Sequence, residues 1–187
     1  AQISALARAW SPDATLVEVS YNPDRHKVRG DEIALDGTSR IWVYRFASPE
    51  REQLMVYSLR DGLLLEEREE SPTVYKQLLA GKPAPEALEL RGLLDSDQAL
   101  AIARSNGLEA QTMQSIGIYL ASVPGYLDLD PSLTGGHWYI FENGIFSSNH
   151  MIIDAQTGAI IESEFGESEQ RGAIPAGFLD HRLVHVA

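Results

Sequence analysis

The chain contains no cysteine. This absence excludes disulfide bonds, thiolate zinc ligands and a cysteine nucleophile. Long apolar runs are also absent, since no stretch approaches the ~18 to 20 apolar residues that a membrane-spanning helix requires. Positive charge is scarce: 15 Lys and Arg residues stand against 27 Asp and Glu residues, and the net charge is −12. Nucleic acids bind concentrated positive patches, so we expect no nucleic-acid partner.

The common catalytic motifs are missing as well. The chain has no Gly-x-Ser-x-Gly elbow, no phosphate-binding Gly-x-x-x-x-Gly-Lys loop and no dinucleotide fingerprint. Glu66 and Glu162 correspond to each other in an internal repeat, which explains them better than a glycosidase-like carboxylate pair. We therefore predict a protein that is not an enzyme, with no catalytic residues and no cofactor.

Histidines give two incomplete metal-binding patterns. His181 and His185 have the spacing of a helical zinc site, but no Glu follows His181 and the residues between them favour a strand. His137 and His150 lie in or beside strands that we expect to pair, which keeps a metal site between them open as an alternative. His26 lies in a polar turn without an evident partner. We assign no metal ligand from these patterns.

One acidic loop has the alternation of a calcium-binding loop. The alternating residues are Asp128, Asp130, Ser132 and Thr134. Leu133 stands where an EF-hand requires glycine, and Tyr139 stands where it requires a bidentate acid. The pattern therefore excludes an EF-hand and leaves only a looser calcium site as an alternative.

Hydrophobic periodicity and turn residues predict alternating helices and strands. Helices are expected over residues 1–12, from Pro72 until just before Gly81, and from an Asp95–Gln98 capping box to Asn106-Gly107. Strands are expected at residues 14–21, 32–35, 40–46, 53–59, 63–67, 112–121 and 179–186, with three short strands between His137 and Phe165. Asp61-Gly62, Asn143-Gly144 and Thr157-Gly158 supply the expected turns.

An internal repeat organises these elements. A shift of 96 residues places Trp42 on Trp138, Met55 on Met151, Gly62 on Gly158 and Glu66 on Glu162 without a gap. A shift of 94 matches the helical residues Ala5, Leu6, Ala7, Ala9 and Ser11 with Ala99, Leu100, Ala101, Ala103 and Ser105. A period near 95 indicates a duplicated small domain rather than a solenoid. The predicted organisation is repeat 1 at residues 1–81, a linker at 82–94, and repeat 2 with a C-terminal tail at 95–187.

The second repeat resembles the PepSY domain family. The resemblance is carried by the Ala-rich helix that follows Asp95, by Trp138-Tyr139 and by the turn from Asp154 to Gly158. The first repeat departs from the pattern, because Ser58 stands where Asp154 would be. The resemblance implies an α+β fold of two tandem repeats, each an antiparallel β-sheet packed against an α-helix. It also implies an extracytoplasmic protein and a partner among peptidases.

These observations lead to one expected function and one alternative. The expected function is a non-enzymatic extracytoplasmic binding module of PepSY type, which binds or inhibits a peptidase or another envelope protein. The alternative is a small-ligand or metal-binding protein with a site between the repeats, formed by His137, His150 or residues 128–130. A structural piece of a larger envelope protein is a third possibility, because the first helix lacks its cap. Whether a signal peptide or membrane anchor precedes Ala1 stays open. Trp42 and Trp138 are expected to be core anchors rather than platforms for ligand stacking.

Overall fold

The computed structural model describes residues 2–21, 39–79, 86–108, 116–122, 135–142 and 149–165. Within these ranges the helices are α1 (Gln2–Trp10), α2 (Pro72–Leu79) and α3 (Ser96–Ser105). The strands of the first half are β1 (Thr15–Tyr21), β2 (Ile41–Ser48), β3 (Gln53–Arg60) and β4 (Leu63–Glu69). Those of the second half are β5 (Ile116–Ala121), β6 (His137–Glu142), β7 (His150–Asp154) and β8 (Ile160–Ser163).

All of these strands form one antiparallel sheet in the order β4-β3-β2-β1-β5-β6-β7-β8. The prediction of two tandem repeats, each with its own sheet and helix, is therefore wrong. The finding that overturns it is the pairing of β1 with β5, in which Glu18 lies opposite Ala121 and Tyr21 lies opposite Ile118. Pairing satisfies the backbone N–H and C=O groups that two separate sheets would leave unpaired at an edge. No side-chain pattern within either half predicts the pairing of β1 with β5.

The two halves of the sheet have corresponding registers. Trp42 pairs with Leu59 in β2–β3, and Trp138 pairs with Ile153 in β6–β7. A bulge follows Ser58 in β3 and follows Ile152 in β7. Because 59 and 153 differ by 94, as do 58 and 152, β3 corresponds to β7 at 94 residues and not at the predicted 96. A slip of two residues keeps every side chain on the same face, so the hydrophobic pattern does not reveal it.

The turns after β3 and β7 differ in length by two residues and so compensate for the two-residue slip. Arg60 pairs with Leu63 across a two-residue turn, Asp61-Gly62, with φ of +50° and +79°. In the second half Asp154 N–H donates to the Ala159 carbonyl at 2.9 Å, which encloses four residues. The longer turn restores the 96-residue offset, so Glu66 and Glu162 correspond as predicted, but they lie on β4 and β8 at opposite edges of the sheet.

Helices α1 and α3 cover the same face of the sheet. Ala7 of α1 packs on Phe46, Met55 and Tyr57, and α3 packs on the strands of the second half. The buried α3 residues are Ala99, Leu100 and Ala103. Their predicted equivalents Ala5 and Ala9 are exposed in α1. The two helices therefore present different faces to the sheet. The 94-residue match of the helices is a similarity of sequence that the packing does not share.

The remaining helix lies on the opposite face. Leu79 of α2 packs on Val17, Ala47 and Leu54. In the part of the chain that the structure describes, no helix is long and apolar enough to span a lipid bilayer.

Most of the predicted elements are confirmed within one or two residues. Asp95 and Gln98 form the predicted capping box, in which the Gln98 side-chain oxygen accepts from the Asp95 N–H at 2.9 Å. The predicted strands at residues 32–35 and 179–186 and the turn at Asn143-Gly144 lie outside the described residues. The domain boundaries at residues 81 and 95 stay a prediction.

Candidate binding cleft

An apolar cleft of about 400 Å³ lies where the two halves of the sheet meet. Its floor comes from the four central strands, on the face that carries α1 and α3, and its wall comes from the segment that leads into α3. The floor residues are Val19, Trp42, Tyr44, Leu120 and Trp138. The remaining lining residues are Ser39, Leu90, Leu93, Leu94, Asp95 and Ser96. Both tryptophans of the internal repeat thus line one cavity.

The wall of the cleft is tied to the sheet at two points. Leu88 N–H donates to the Leu16 carbonyl at 2.8 Å, and Leu94 N–H donates to the Ala155 carbonyl at 2.7 Å. Gly92 has φ of +85°, a conformation that glycine adopts without strain and that turns the chain between these two anchors. The segment was predicted to be part of a linker. The sequence shows its turn residues, but the two long-range hydrogen bonds that make it a wall have no local signal.

The two tryptophans differ in their hydrogen bonding. Trp138 is buried, and its indole Nε1 donates to the Leu94 carbonyl at 2.9 Å. Trp42 packs against the same hydrophobic cluster but is only partly buried. Within the described residues, no hydrogen bond engages its indole N–H. Trp42 is thus a core residue on one side and a lining residue of the cleft on the other.

The cleft offers little chemistry beyond apolar contact. Asp95 is the one acidic or basic residue among the described side chains that line it, and burial raises the pKa of Tyr44 above its ordinary value. The Ser39 hydroxyl is engaged, since it donates to the Ile41 carbonyl at 2.9 Å. A single carboxylate at the start of a helix does not form an acid–base pair.

His137 and Asp154 face each other on the other side of the sheet. They are partners in the β6–β7 register, and His137 is buried. Burial lowers the pKa of His137, although the Asp154 carboxylate opposes the shift. Burial raises the pKa of Asp154, but hydrogen bonds from Thr157 and Gln156 outweigh it and the net shift is downward.

The Asp154 side chain stabilises the turn in the manner predicted. Its Oδ1 accepts from Gln156 N–H at 2.9 Å, from Thr157 N–H at 2.7 Å and from Thr157 Oγ1 at 2.9 Å. Gly158 has φ of +76°, as the turn requires. These contacts give Asp154 a structural role in the turn.

His137 and His150 do not form a metal site. Phe141 is the register partner of His150, so the two histidines are offset by four residues, or about 13 Å along the strands. The His150 ring nitrogens lie 3.2 Å from Glu162 and 3.5 Å from Glu164, on opposite sides of the ring. No group of three potential metal ligands occurs in the described ranges. His26, His181, His185 and the acidic loop at 128–134 lie outside them.

A buried charge cluster was missed by the sequence reading. Arg45 contacts Glu18 through one nitrogen and donates from Nε to Glu70 Oε2 at 3.1 Å. All three residues are buried, and Ser20 Oγ donates to Glu18 at 2.7 Å. The sequence of β2 contains the signal for this cluster, because Arg45 lies on the same strand face as Val43 and Ala47. A charged residue at an inward position of a strand indicates a buried partner of opposite charge.

Comparison with known proteins gives little. No protein-family model matches the chain, and no curated protein matches it. A crystal structure of a putative lipoprotein from Clostridium difficile 630 is similar over 87% of this chain and 90% of that chain, with 14% sequence identity and a TM-score of 0.47. Similarity at this level leaves the function to be argued from the geometry of the chain itself.

Proposed function

We propose that the protein is a non-enzymatic binding module that receives an apolar segment of a protein partner in the cleft between Trp42 and Trp138. The observation that carries the proposal is the cleft itself. It is built from both halves of the sheet, its described lining combines apolar and aromatic side chains with Ser39, Asp95 and Ser96, and it has a rim leucine, Leu90, that is 46% exposed.

The size and lining of the cleft suit this role. Its volume of about 400 Å³ lies in the range of pockets that hold ligands. Burying one or two leucine-sized side chains there contributes roughly 1.5 to 3 kcal/mol each. Tryptophan is favoured at binding surfaces because it offers a large rigid contact area with one hydrogen-bond donor.

The resemblance to PepSY domains supports the nature of the partner. It favours an extracytoplasmic location and a partner that is a peptidase or another envelope protein. A partner of this kind would insert one exposed segment into the cleft. Among the described residues that line the cleft, no nucleophile–base pair occurs, and the proposal therefore assigns them a role in binding.

A small apolar ligand is the second candidate, since the cleft lies between the halves of the chain as that alternative requires. A ligand that binds only the folded protein raises the melting temperature, and a screen of apolar small molecules would show this directly. Two observations together distinguish the peptide segment from the small ligand. A ligand-induced shift from a compound that lacks peptide groups, together with no peptide binder, would favour the small ligand.

The proposal is tested by selection from a random displayed peptide library against the full chain. We expect enriched peptides that bind the wild-type protein and lose at least five-fold in affinity on Leu90→Asp, which places a charge at the apolar rim. Leu63→Asp is the matched control, because Leu63 is 74% exposed on β4, far from the cleft. Peptides that are lost on Leu63→Asp and kept on Leu90→Asp would refute the cleft as the binding site.

A further inference from the structure

We propose that the cleft binds an extended peptide segment with leucine-type side chains beside a basic residue, and that a backbone carbonyl of this segment accepts a hydrogen bond from the Trp42 indole N–H. The inference rests on the proposed function and names the chemistry of the partner segment. It comes from the way in which the chain covers its other tryptophan.

Trp138 shows how such a segment is held. The peptide groups of Leu94 are bound on both sides: its carbonyl accepts from Trp138 Nε1 at 2.9 Å, and its N–H donates to the Ala155 carbonyl at 2.7 Å. The Leu94 side chain extends over Gly158, and its Cδ1 lies 3.3 Å from the position that a Cβ on this glycine would occupy. A leucine that follows a turn therefore fills the space beside this tryptophan.

Trp42 has the same position in the first half without the same cover. It pairs with Leu59 as Trp138 pairs with Ile153, and the same bulge lies beside both pairs. No acceptor for its indole N–H occurs among the residues that the structure describes. Gly62, which corresponds to Gly158, has no atom within 4 Å of a would-be Cβ. Among the described residues, the first half thus presents the tryptophan and the glycine without a leucine and a carbonyl placed as those of Leu94 are.

An incoming peptide supplies both missing groups. A leucine side chain buries apolar surface in the cleft, and a main-chain carbonyl pairs with a donor that an apolar small molecule would leave unpaired when it excluded water. The requirement for a side chain and a carbonyl in one ligand is what favours a peptide over a hydrocarbon-like compound.

Charge selects the neighbouring residue of the segment. The Asp95 carboxylate lines the cleft, and the whole chain carries a net charge of −12. An acidic residue next to the leucines would be repelled, whereas a lysine or arginine would be attracted, most strongly at low ionic strength. The cleft is therefore complementary to a leucine-containing segment with a basic neighbour.

The test is a titration of the full ¹⁵N-labelled chain with three capped peptides. Ac-Gly-Leu-Leu-Asp-NH2 copies residues 92–95, Ac-Gly-Leu-Leu-Lys-NH2 changes the charge, and Ac-Gly-Ser-Ser-Lys-NH2 removes the apolar side chains. The chain has three indole N–H resonances, and those of Trp10 and Trp138 already donate to Glu69 and Leu94. We expect a saturable shift that is largest at the Trp42 indole resonance, a lysine peptide that binds more tightly than the aspartate peptide, and no shift with the serine peptide.

Two variants sharpen the result. Trp42→Phe keeps an aromatic ring and removes the donor, so the leucine-lysine peptide should bind about five-fold more weakly, the effect of one neutral hydrogen bond. Trp10→Phe is the matched control, which assigns one indole resonance and should leave the affinity unchanged. If Trp42→Phe does not fold, the wild-type titration decides.

The outcomes separate this inference from the proposed function. An unshifted Trp42 resonance, or equal binding of the serine and leucine peptides, overturns the inference. Library-selected peptides that bind in the cleft without leucine would do the same and would leave the proposed function standing. Selected peptides that bind outside the cleft would overturn both.

Discussion

Two residues of β2 are informative because their environment is unusual for their type. Arg45 is a cation at an inward strand position, and Trp42 is an indole without an acceptor among the described residues where its equivalent has one. The first residue reports on stability and the second on binding. Neither role is visible from composition, because each depends on which strands lie beside β2.

The buried cluster around Arg45 predicts an asymmetric cost of mutation. Arg45→Met leaves Glu18 buried without its cation and Glu70 with only Arg68, 3.8 Å away, so we expect the free energy of unfolding to fall by about 3 to 5 kcal/mol. The triple variant Glu18→Leu, Arg45→Met, Glu70→Leu removes all three charges and should recover most of that loss. Urea denaturation of the three proteins measures this. If the triple variant is no more stable than Arg45→Met, the unpaired buried carboxylates are not the cause of the lost stability.

His137 predicts the pH dependence of stability. Burial lowers its pKa below the value of 6.5 that it has in the unfolded chain. As the pH falls below about 6.5, the unfolded chain therefore takes up a proton before the folded chain does, and folding loses stability with a slope of at most about 1.4 kcal/mol per pH unit. The contribution is fully present above pH 6.5 and is lost as the pH falls through the folded-state pKa. His137→Gln should make the denaturation midpoint depend less on pH between pH 6.5 and 5. An unchanged pH dependence would mean that other groups cause the loss of stability.

At the scale of elements, local signals predicted local structure. The Asp61-Gly62 turn, the Asp95–Gln98 capping box and the Asp154 turn are each set by residues within four positions of each other, and each was found where expected. The wall at residues 88–94 was predicted as linker, because the bonds that hold it join Leu88 to Leu16 and Leu94 to Ala155. Contacts between residues this distant in sequence leave no trace in a window of ten or fifteen residues.

The two equivalent turn glycines separate backbone strain from packing. Gly62 and Gly158 have φ of +79° and +76°, so alanine at either position costs about 1 to 2 kcal/mol of conformational free energy. Only at Gly158 would the added Cβ also meet Ile102 and Leu94, both at 3.3 Å. We therefore expect Gly158→Ala to lower the thermal midpoint more than Gly62→Ala does, and to weaken peptide binding because Leu94 forms the cleft wall. Equal midpoints would indicate that the wall adjusts freely.

At the scale of the whole molecule, the decisive feature is the pairing of the first strand of each half. Sequence alone predicted the strands, but its 96-residue offset was wrong by two residues for β3 and β7. It left an edge-to-edge join of the two sheets open without showing that β1 and β5 would be the joining strands, since each half has the same edge available. The cleft exists only because of this join, since its floor strands come from both halves. Neither the cleft nor its two tryptophans could be placed together before the strand order was known.

A continuous sheet predicts a single unfolding transition. Backbone hydrogen bonds between β1 and β5 couple the halves, so variants with one tryptophan, at Trp10 in the first half or at Trp138 in the second, should report the same urea midpoint. Phenylalanine at the other two tryptophan positions provides these probes. Two separated midpoints would instead indicate halves that unfold independently, divided at the predicted boundary between residues 81 and 95.

The most direct test of the account is a map of where a library-selected peptide binds, made from backbone and indole amide shifts of the full chain in the complex. We expect the shifts to centre on Trp42, Trp138 and residues 90–96, the lining of the cleft. Shifts centred on the edge strands β4 or β8, with the cleft residues unperturbed, would contradict it.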